Sequence, residues 1–320
     1  MIVGVNDIYE TKYCSFNNTT SQGNTWLTIF TPTYNRVSRL PELYASLLNQ
    51  DFKGFEWLIV DDGSTDSTRD LVLNWAGTTS EFPIRYIYQE NAGKAMAHNR
   101  GVLEANGNLF FCVDSDDFLP PNAVRDIYSA WEMIKNDSSI SGCLALKSDR
   151  GGDSLGKIWP EYLTVCSLRD FEYKYRFGGE RAMIIKTAIL RNYLFPEIMN
   201  NKFFPESVIY YQIDSKYDVY LLRRVVTICE YLEDGYTRNI RKIMAQNPTG
   251  FKVVSSEKID YVYALSDRIR AAISYNIFSH LSNDTAYDYF GKHQFLVKIC
   301  YPIGIIGAFV FRFLYQLKDE

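Results

Sequence analysis

Hydrophobic positions between residues 26 and 113 follow two alternating rhythms. Continuous apolar runs at 27–33, 55–60, 84–88 and 109–113 are bounded by Pro, Asn, Asp and Gly, and read as buried strands. Between them, 38–49, 67–75 and 94–105 have helical spacing; the first of these sets Leu40, Leu43, Leu47 and Leu48 on one side. Strands apolar on both faces and alternating with helices predict an α/β fold whose parallel sheet is covered on both sides. In such sheets ligands bind at the carboxyl ends of the strands. The polar clusters 33–36, 61–64 and 114–117 fall at those ends.

Past Pro121 the rhythm becomes mixed, and from about residue 255 to 320 it reads as helical. Residues 299–311 carry no charge, and extending the run to 317 admits Arg312. A spanning helix wants about 20 apolar residues. Pro302, Gly304 and Gly307 weaken a regular helix in water. The expectation is a segment, 295–317, that lies on a membrane surface, with packing onto the globular body and spanning as the alternatives. Residues 1–25 are polar and read as a poorly ordered arm.

Composition narrows the function classes. The net charge of −4 offers no basic field for nucleic acid. The six cysteines are scattered without a C-x-x-C pair, as reduced thiols rather than a disulfide or zinc framework. No basic-then-apolar leader opens the sequence, so the expected location is cytoplasmic, peripheral at the inner face of the cell membrane. Aromatics make up 15% of the chain, and many lie after Pro121, where they suit sugar rings, lipid headgroups or a core.

Three carboxylates, Asp114, Asp116 and Asp117, follow the strand 109–113 directly. Like charges at that density beside a hydrophobic sheet are costly, and a hard divalent cation, Mg²⁺ or Mn²⁺, removes the cost. A solvated turn capping the next helix is the plainer alternative. Asp61, at the end of another strand, can accept hydrogen bonds from a base or ribose. Lys94 begins a helix whose dipole already favours anions, which suits a diphosphate.

Four segments carry a family resemblance: L-T-I-F-T-P-T-Y-N-R, W-L-I-V-D-D-G-S-T-D, N-A-G-K-A-M-A-H-N-R-G and F-F-C-V-D-S-D-D-F-L-P-P. In this order and spacing, the chain from residue 26 to about 122 resembles the inverting, GT-A-fold family 2 glycosyltransferases. F-P-E-I-M-N-N-K-F-F-P-E (195–206) and 231–250 are similar to segments of polysaccharide-assembling members. The resemblance implies a GT-A fold, with a single Rossmann-like, mostly parallel sheet flanked by helices, and a helical C-terminal extension. It divides the chain into the arm 1–25, a transferase domain 26–247 (donor half 26–122, acceptor half 123–247) and the extension 248–320.

By the same resemblance, Pro32, Thr33, Asn35 and Asp61 line the nucleotide pocket, while Lys94 and Arg100 face the diphosphate. Asp114 and Ser115 contact ribose or sugar, and Asp116 with Asp114 holds the metal. The implied donor is a nucleotide-diphosphate sugar, UDP-linked by preference. The implied acceptor is a saccharide or a polyprenyl-linked saccharide, in surface polysaccharide synthesis. Inversion needs one general base, and Glu206 occupies its place, although Ser207 follows it where relatives carry a second acidic residue; Glu197, Glu180 and Asp214 are the alternatives. Arg238 lies in a segment suited to a lid over the donor. The processive Q-x-x-R-W motif is absent from the sequence. Two competing readings stay open: a non-catalytic sugar-nucleotide-binding scaffold, and a nucleotidyltransferase.

Overall fold

The computed structural model describes residues 25–198, 201–230, 236–282 and 288–315. The arm expected over 1–25 lies outside the described residues apart from Thr25.

The first half of the sheet forms from the runs anticipated: β1 (Leu27–Thr33), β2 (Phe55–Asp61), β3 (Ile84–Tyr88) and β4 (Leu109–Cys112). Each pairs parallel with its neighbours, in the order β3-β2-β1-β4. Side chains alternate between the two faces of a strand, and both faces are covered. Leu27, Ile29, Trp57 and Ile59 pack with α1 (Leu40–Leu48), α2 (Thr68–Thr78) and α4 (Ala123–Ile134) through Leu43, Val72 and Ile127. Phe30, Leu58 and Val60 face α3 (Lys94–Glu104) through Ala97 and Val102. Leu48, expected on the apolar side of α1, instead turns to solvent.

Beyond β4 the sheet is mixed. β5 (Ile140–Ser148), β6 (Val165–Cys166), β7 (Arg181–Lys186) and β8 (Asp218–Ile228) extend it to β3-β2-β1-β4-β7-β5-β8-β6. β7 runs antiparallel to both β4 and β5, whereas β5 and β8 are parallel. A π-helical turn at Asp170–Lys174 and the short helix α5 (Thr187–Leu190) punctuate this half.

The remaining helices are α6 (Ser207–Asp214), α7 (Tyr236–Gln246), α8 (Pro248–Tyr261), α9 (Leu265–Ser282) and α10 (Gln294–Tyr315). α6 and α8 close the α3 face of the sheet through Val208, Ile209 and Val253. α10 runs unbroken through Pro302, against local propensity. Tertiary packing outweighs the local cost: Gly304 lies against Asn276 and Gly307 against Ile277 of α9, so closely that a Cβ at either position would clash.

Candidate active site

The site gathers at the carboxyl ends of β1, β2 and β4, where side chains brought from distant parts of the chain meet. Lys94, in the first turn of α3, reaches across to Asp114 just past β4 (Nζ–Oδ1 2.7 Å) and to Glu206 at the start of α6 (Nζ–Oε1 3.2 Å). One ammonium therefore bridges two carboxylates more than ninety residues apart in sequence. Burial alone would raise the Asp114 carboxyl, but Lys94 and Lys147 outweigh it and hold it below the ordinary range. Lys94 likewise holds Glu206 low and ionised. Burial works against the Lys94 ammonium, yet the two carboxylates keep it charged.

Asp116 differs from its neighbour. Burial and the adjacent Asp114 charge both push its carboxyl above the ordinary range. Asp117 is buried, accepts from Lys147 Nζ (3.3 Å) and Cys229 Sγ (3.3 Å), and is pushed up to about 6, mainly by burial. Ser115, between Asp114 and Asp116 in the chain, is buried. Among the described residues no group of three or more His, Cys, Asp or Glu stands ready to hold a metal. Asp114 and Asp116 offer two hard oxygen ligands, a donor set that suits Mg²⁺ or Mn²⁺ completed by phosphate oxygens and water. The excess negative charge at Asp116 fits such a cation.

The other residues singled out from sequence have specific places. Pro32 and Thr33 end β1, both buried, and the Thr33 hydroxyl has no hydrogen-bond partner. Asn35 adopts a left-handed backbone (φ 52°). Its Oδ1 accepts from the N–H of Thr65 (2.8 Å) and of Asp66 (3.3 Å), while its own N–H donates to Ser64 Oγ (2.8 Å). Asn35 thus ties the β1 loop to the β2 loop. Asp61 is fully buried and accepts from Tyr86 Oη (2.6 Å) and Ser64 N–H (2.8 Å). Arg100 lies six residues along α3 from Lys94, about 9 Å down the axis, and pairs with Glu104 at 3.0 Å. Arg238 falls in the first turns of α7, and its side chain lies outside the described residues. Of the alternative bases, Asp214 accepts from the N–H groups of Leu168 and Arg169 and from Tyr261 Oη (2.9 Å), and Glu197 is exposed.

Several residues that shape the site carried no functional signal in the sequence. Asp62 accepts from Gln89 Nε2 (2.7 Å), Ala92 N–H (2.9 Å) and Gly93 N–H (2.8 Å), and so sets the turn that launches Lys94. Gly93 itself (φ 94°) has no room for a Cβ, which would lie 2.1 Å from the Lys202 carbonyl. Asn99 exchanges two 2.8 Å hydrogen bonds with the backbone of Phe195, fastening the segment that leads to Glu206 onto α3. Tyr210 points its hydroxyl at Glu206 Oε2 (3.5 Å), and burial drives its ionisation far up.

His98, one turn after Lys94 on the same face of α3, is enclosed by the rings of Phe30, Phe110 and Phe195. Its Nδ1 is buried without a partner, and burial pushes its pKa down to about 4. The folded state thus resists the proton that the unfolded chain takes up near pH 6.5. Stability should be full above pH 6.5 and fall as the pH drops toward 4, by about 2 kcal/mol between pH 7 and pH 5 from this group. Urea unfolding at both pH values checks it: wild type should lose about that much more than His98→Leu, and equal losses would assign the pH dependence elsewhere.

Residues 28–194, just over half of the chain, match the family described as Glycosyl transferase family 2. Among curated relatives, glycosyltransferase GlyA of Streptococcus pneumoniae is 30% identical over 125 residues, 39% of this chain and 18% of that protein. An uncharacterized glycosyltransferase of Rickettsia conorii is 37% identical over 172 residues, 49% of this chain and 27% of that protein. The chain thus spans well under half the length of these two relatives. In fold it is similar to Staphylococcus aureus TarS residues 1–349, solved with UDP-GlcNAc, with a TM-score of 0.57 and 16% identity over 91% of both chains. The mannosyltransferase PcManGT of Pyrobaculum calidifontis, solved with GDP-Man and Mn²⁺, gives a TM-score of 0.54 and 18% identity over 91% of this chain and 88% of that one. With the family match running from β1 through the acidic turn to α5, the chain belongs to glycosyl transferase family 2.

Proposed function

We propose that the protein transfers a sugar, with inversion, from a nucleotide-diphosphate sugar to a saccharide or polyprenyl-linked saccharide in surface polysaccharide synthesis. The observation that carries this reading is the Lys94 bridge, which sets an anion-binding ammonium between Asp114 on the donor side and Glu206 on the acceptor side. UDP is the favoured nucleotide, in line with the UDP-GlcNAc held by the TarS structure. Thr33, Asn35 and Asp61 would frame the nucleotide; the Thr33 hydroxyl is buried without a hydrogen-bond partner.

Asp116, with Asp114, would hold Mg²⁺ or Mn²⁺; PcManGT was solved with Mn²⁺. A bound cation supplies positive charge against the leaving diphosphate. Lys94 would turn its ammonium from Asp114 toward the diphosphate oxygens and add to that charge. Glu206, kept ionised, takes the proton from the acceptor hydroxyl as that oxygen attacks the anomeric carbon, and the nucleotide diphosphate leaves from the opposite face. The placement is cytoplasmic.

Incubation with Mn²⁺ and a panel of nucleotide sugars tests the reading. Release of UDP or GDP together with a glycosylated acceptor is expected. Pyrophosphate release would reassign the chain to nucleotidyl transfer, and saturable binding without turnover would make it a scaffold.

A further inference from the structure

The outer face of α10 is an exposed apolar feature that the transfer site does not use. The helix is apolar all round, which a helix on a water-facing surface is not. Its inner stripe, Cys300, Gly304 and Ala308, is small and buried against α9. The opposite stripe presents Phe295, Ile299, Ile306, Val310, Phe313 and Leu314, each between 52% and 85% exposed. Their spacing places them on one side of a helix about 33 Å long.

Charge identifies what covers this face. Residues 289–315 contain Lys292, Lys298 and Arg312 and no Asp or Glu, and the preceding Asp288 is paired with Lys252 (2.8 Å). A second copy seated on the same face would bring like charges together, whereas an anionic lipid surface complements them. The packing excludes a crossing. α10 is bound to α9 along its length, through Asn276 Nδ2 to the Val297 carbonyl (2.9 Å) and Arg312 to the His280 carbonyl (3.4 Å). α9 carries Asp267, Arg268 and Arg270, and it packs on α8, which belongs to the core of the body. α10 cannot enter a bilayer end-on without drawing charged helices after it.

The same helices lead back to the site. Phe311 of α10 contacts Phe278 (6.0 Å between ring centroids), Phe278 contacts Phe251 of α8 (5.3 Å), and Phe251 stacks on Phe203 (5.7 Å), three residues before Glu206. Asn247 Oδ1 fastens the backbone N–H groups of Lys202 (2.9 Å) and Phe203 (3.1 Å), and Gly250 N–H donates to Asn201 Oδ1 (2.9 Å).

We infer that α10 lies flat on an anionic lipid surface, its outer stripe inserted among the acyl chains, and that the Phe311–Phe278–Phe251–Phe203 chain holds the Glu206 segment at a fixed height above that surface. The second part rests on the transfer reading, and it assigns the acceptor to molecules anchored in the same leaflet. The docking itself does not rest on that reading.

The test is sedimentation of the full chain with phosphatidylcholine vesicles, with and without phosphatidylglycerol. Wild type should pellet with the anionic vesicles. The double variant Ile306→Asp/Phe313→Asp should weaken binding at least about tenfold with an unchanged thermal midpoint, since both side chains face outward. Lys292→Gln/Lys298→Gln should weaken binding to anionic vesicles only. Phe313→Trp, which needs no destabilising change, should be quenched by acyl-chain-brominated lipid. Wild type that stays in the supernatant, an Asp variant that pellets equally well, or an unquenched Trp overturns the docking. So does a concentration-dependent dimer that the Asp variant abolishes, which would give the face to a second copy. Transfer to a water-soluble acceptor should be unchanged in the Asp variant; its absence in wild type as well would count against the transfer reading and leave the docking standing.

Discussion

Asp116→Asn should lower kcat/KM for the nucleotide-sugar donor by about 10³-fold, on the order of 4 kcal/mol of transition-state stabilisation. The substitution keeps the shape of the side chain and removes its charge, so what is lost is cation binding rather than packing. Protein stability should not fall with it. The Asp116 carboxyl is pushed up by burial and by Asp114, so its ionised form is a cost to the folded state at neutral pH that Asn does not carry. Two measurements check this: steady-state release of nucleotide diphosphate across a Mn²⁺ titration, and urea unfolding of the metal-free protein. Full activity in the variant would remove Asp116 from the site. Full activity recovered at high Mn²⁺ would make its role one of affinity alone.

Glu206→Gln should lower kcat by about 10²- to 10⁴-fold, the range set by loss of a general base, with KM for the donor changed only a few-fold. The amide can still accept a hydrogen bond from Lys94 but cannot take the acceptor proton. The split between kcat and KM separates a proton-transfer role from a structural one, because a displaced α6 would also disturb Lys94 and the donor. Unchanged turnover would move the base elsewhere, although Asp214 already serves two backbone N–H groups and Tyr261.

Much of the β1–β4 part of the fold was legible because its determinants are local. Strand runs such as 27–33 are apolar on both faces, the intervening helices keep their spacing, and the polar ends follow directly, so β1 to β4 lie close to where the pattern set them. The acidic turn after β4 and Lys94 at the head of α3 were legible for the same reason. Asp62 was not, because three hydrogen bonds to residues 89–93 give it its function and nothing in D-D-G-S distinguishes it from Asp61. His98 stood in view four residues after Lys94, but its burial among Phe30, Phe110 and Phe195 depends on chain segments far apart. The antiparallel insertion of β7 between β4 and β5 was likewise beyond periodicity, which records what a strand buries and not which strand lies beside it.

The continuous helix through Pro302 shows the same division. Propensity argued for a weakened segment, and the close seat of Gly304 and Gly307 on α9 decided otherwise. By itself the sequence determined the alternating α/β pattern, the four motifs and the residue types that can bind a diphosphate and a hard cation, all properties of near neighbours in the chain. Folding decided that Lys94 stands between Asp114 and Glu206, and that the apolar tail turns one stripe to α9 and the other outward. These are distances between remote side chains, and they follow from how the layers pack, which no local pattern encodes.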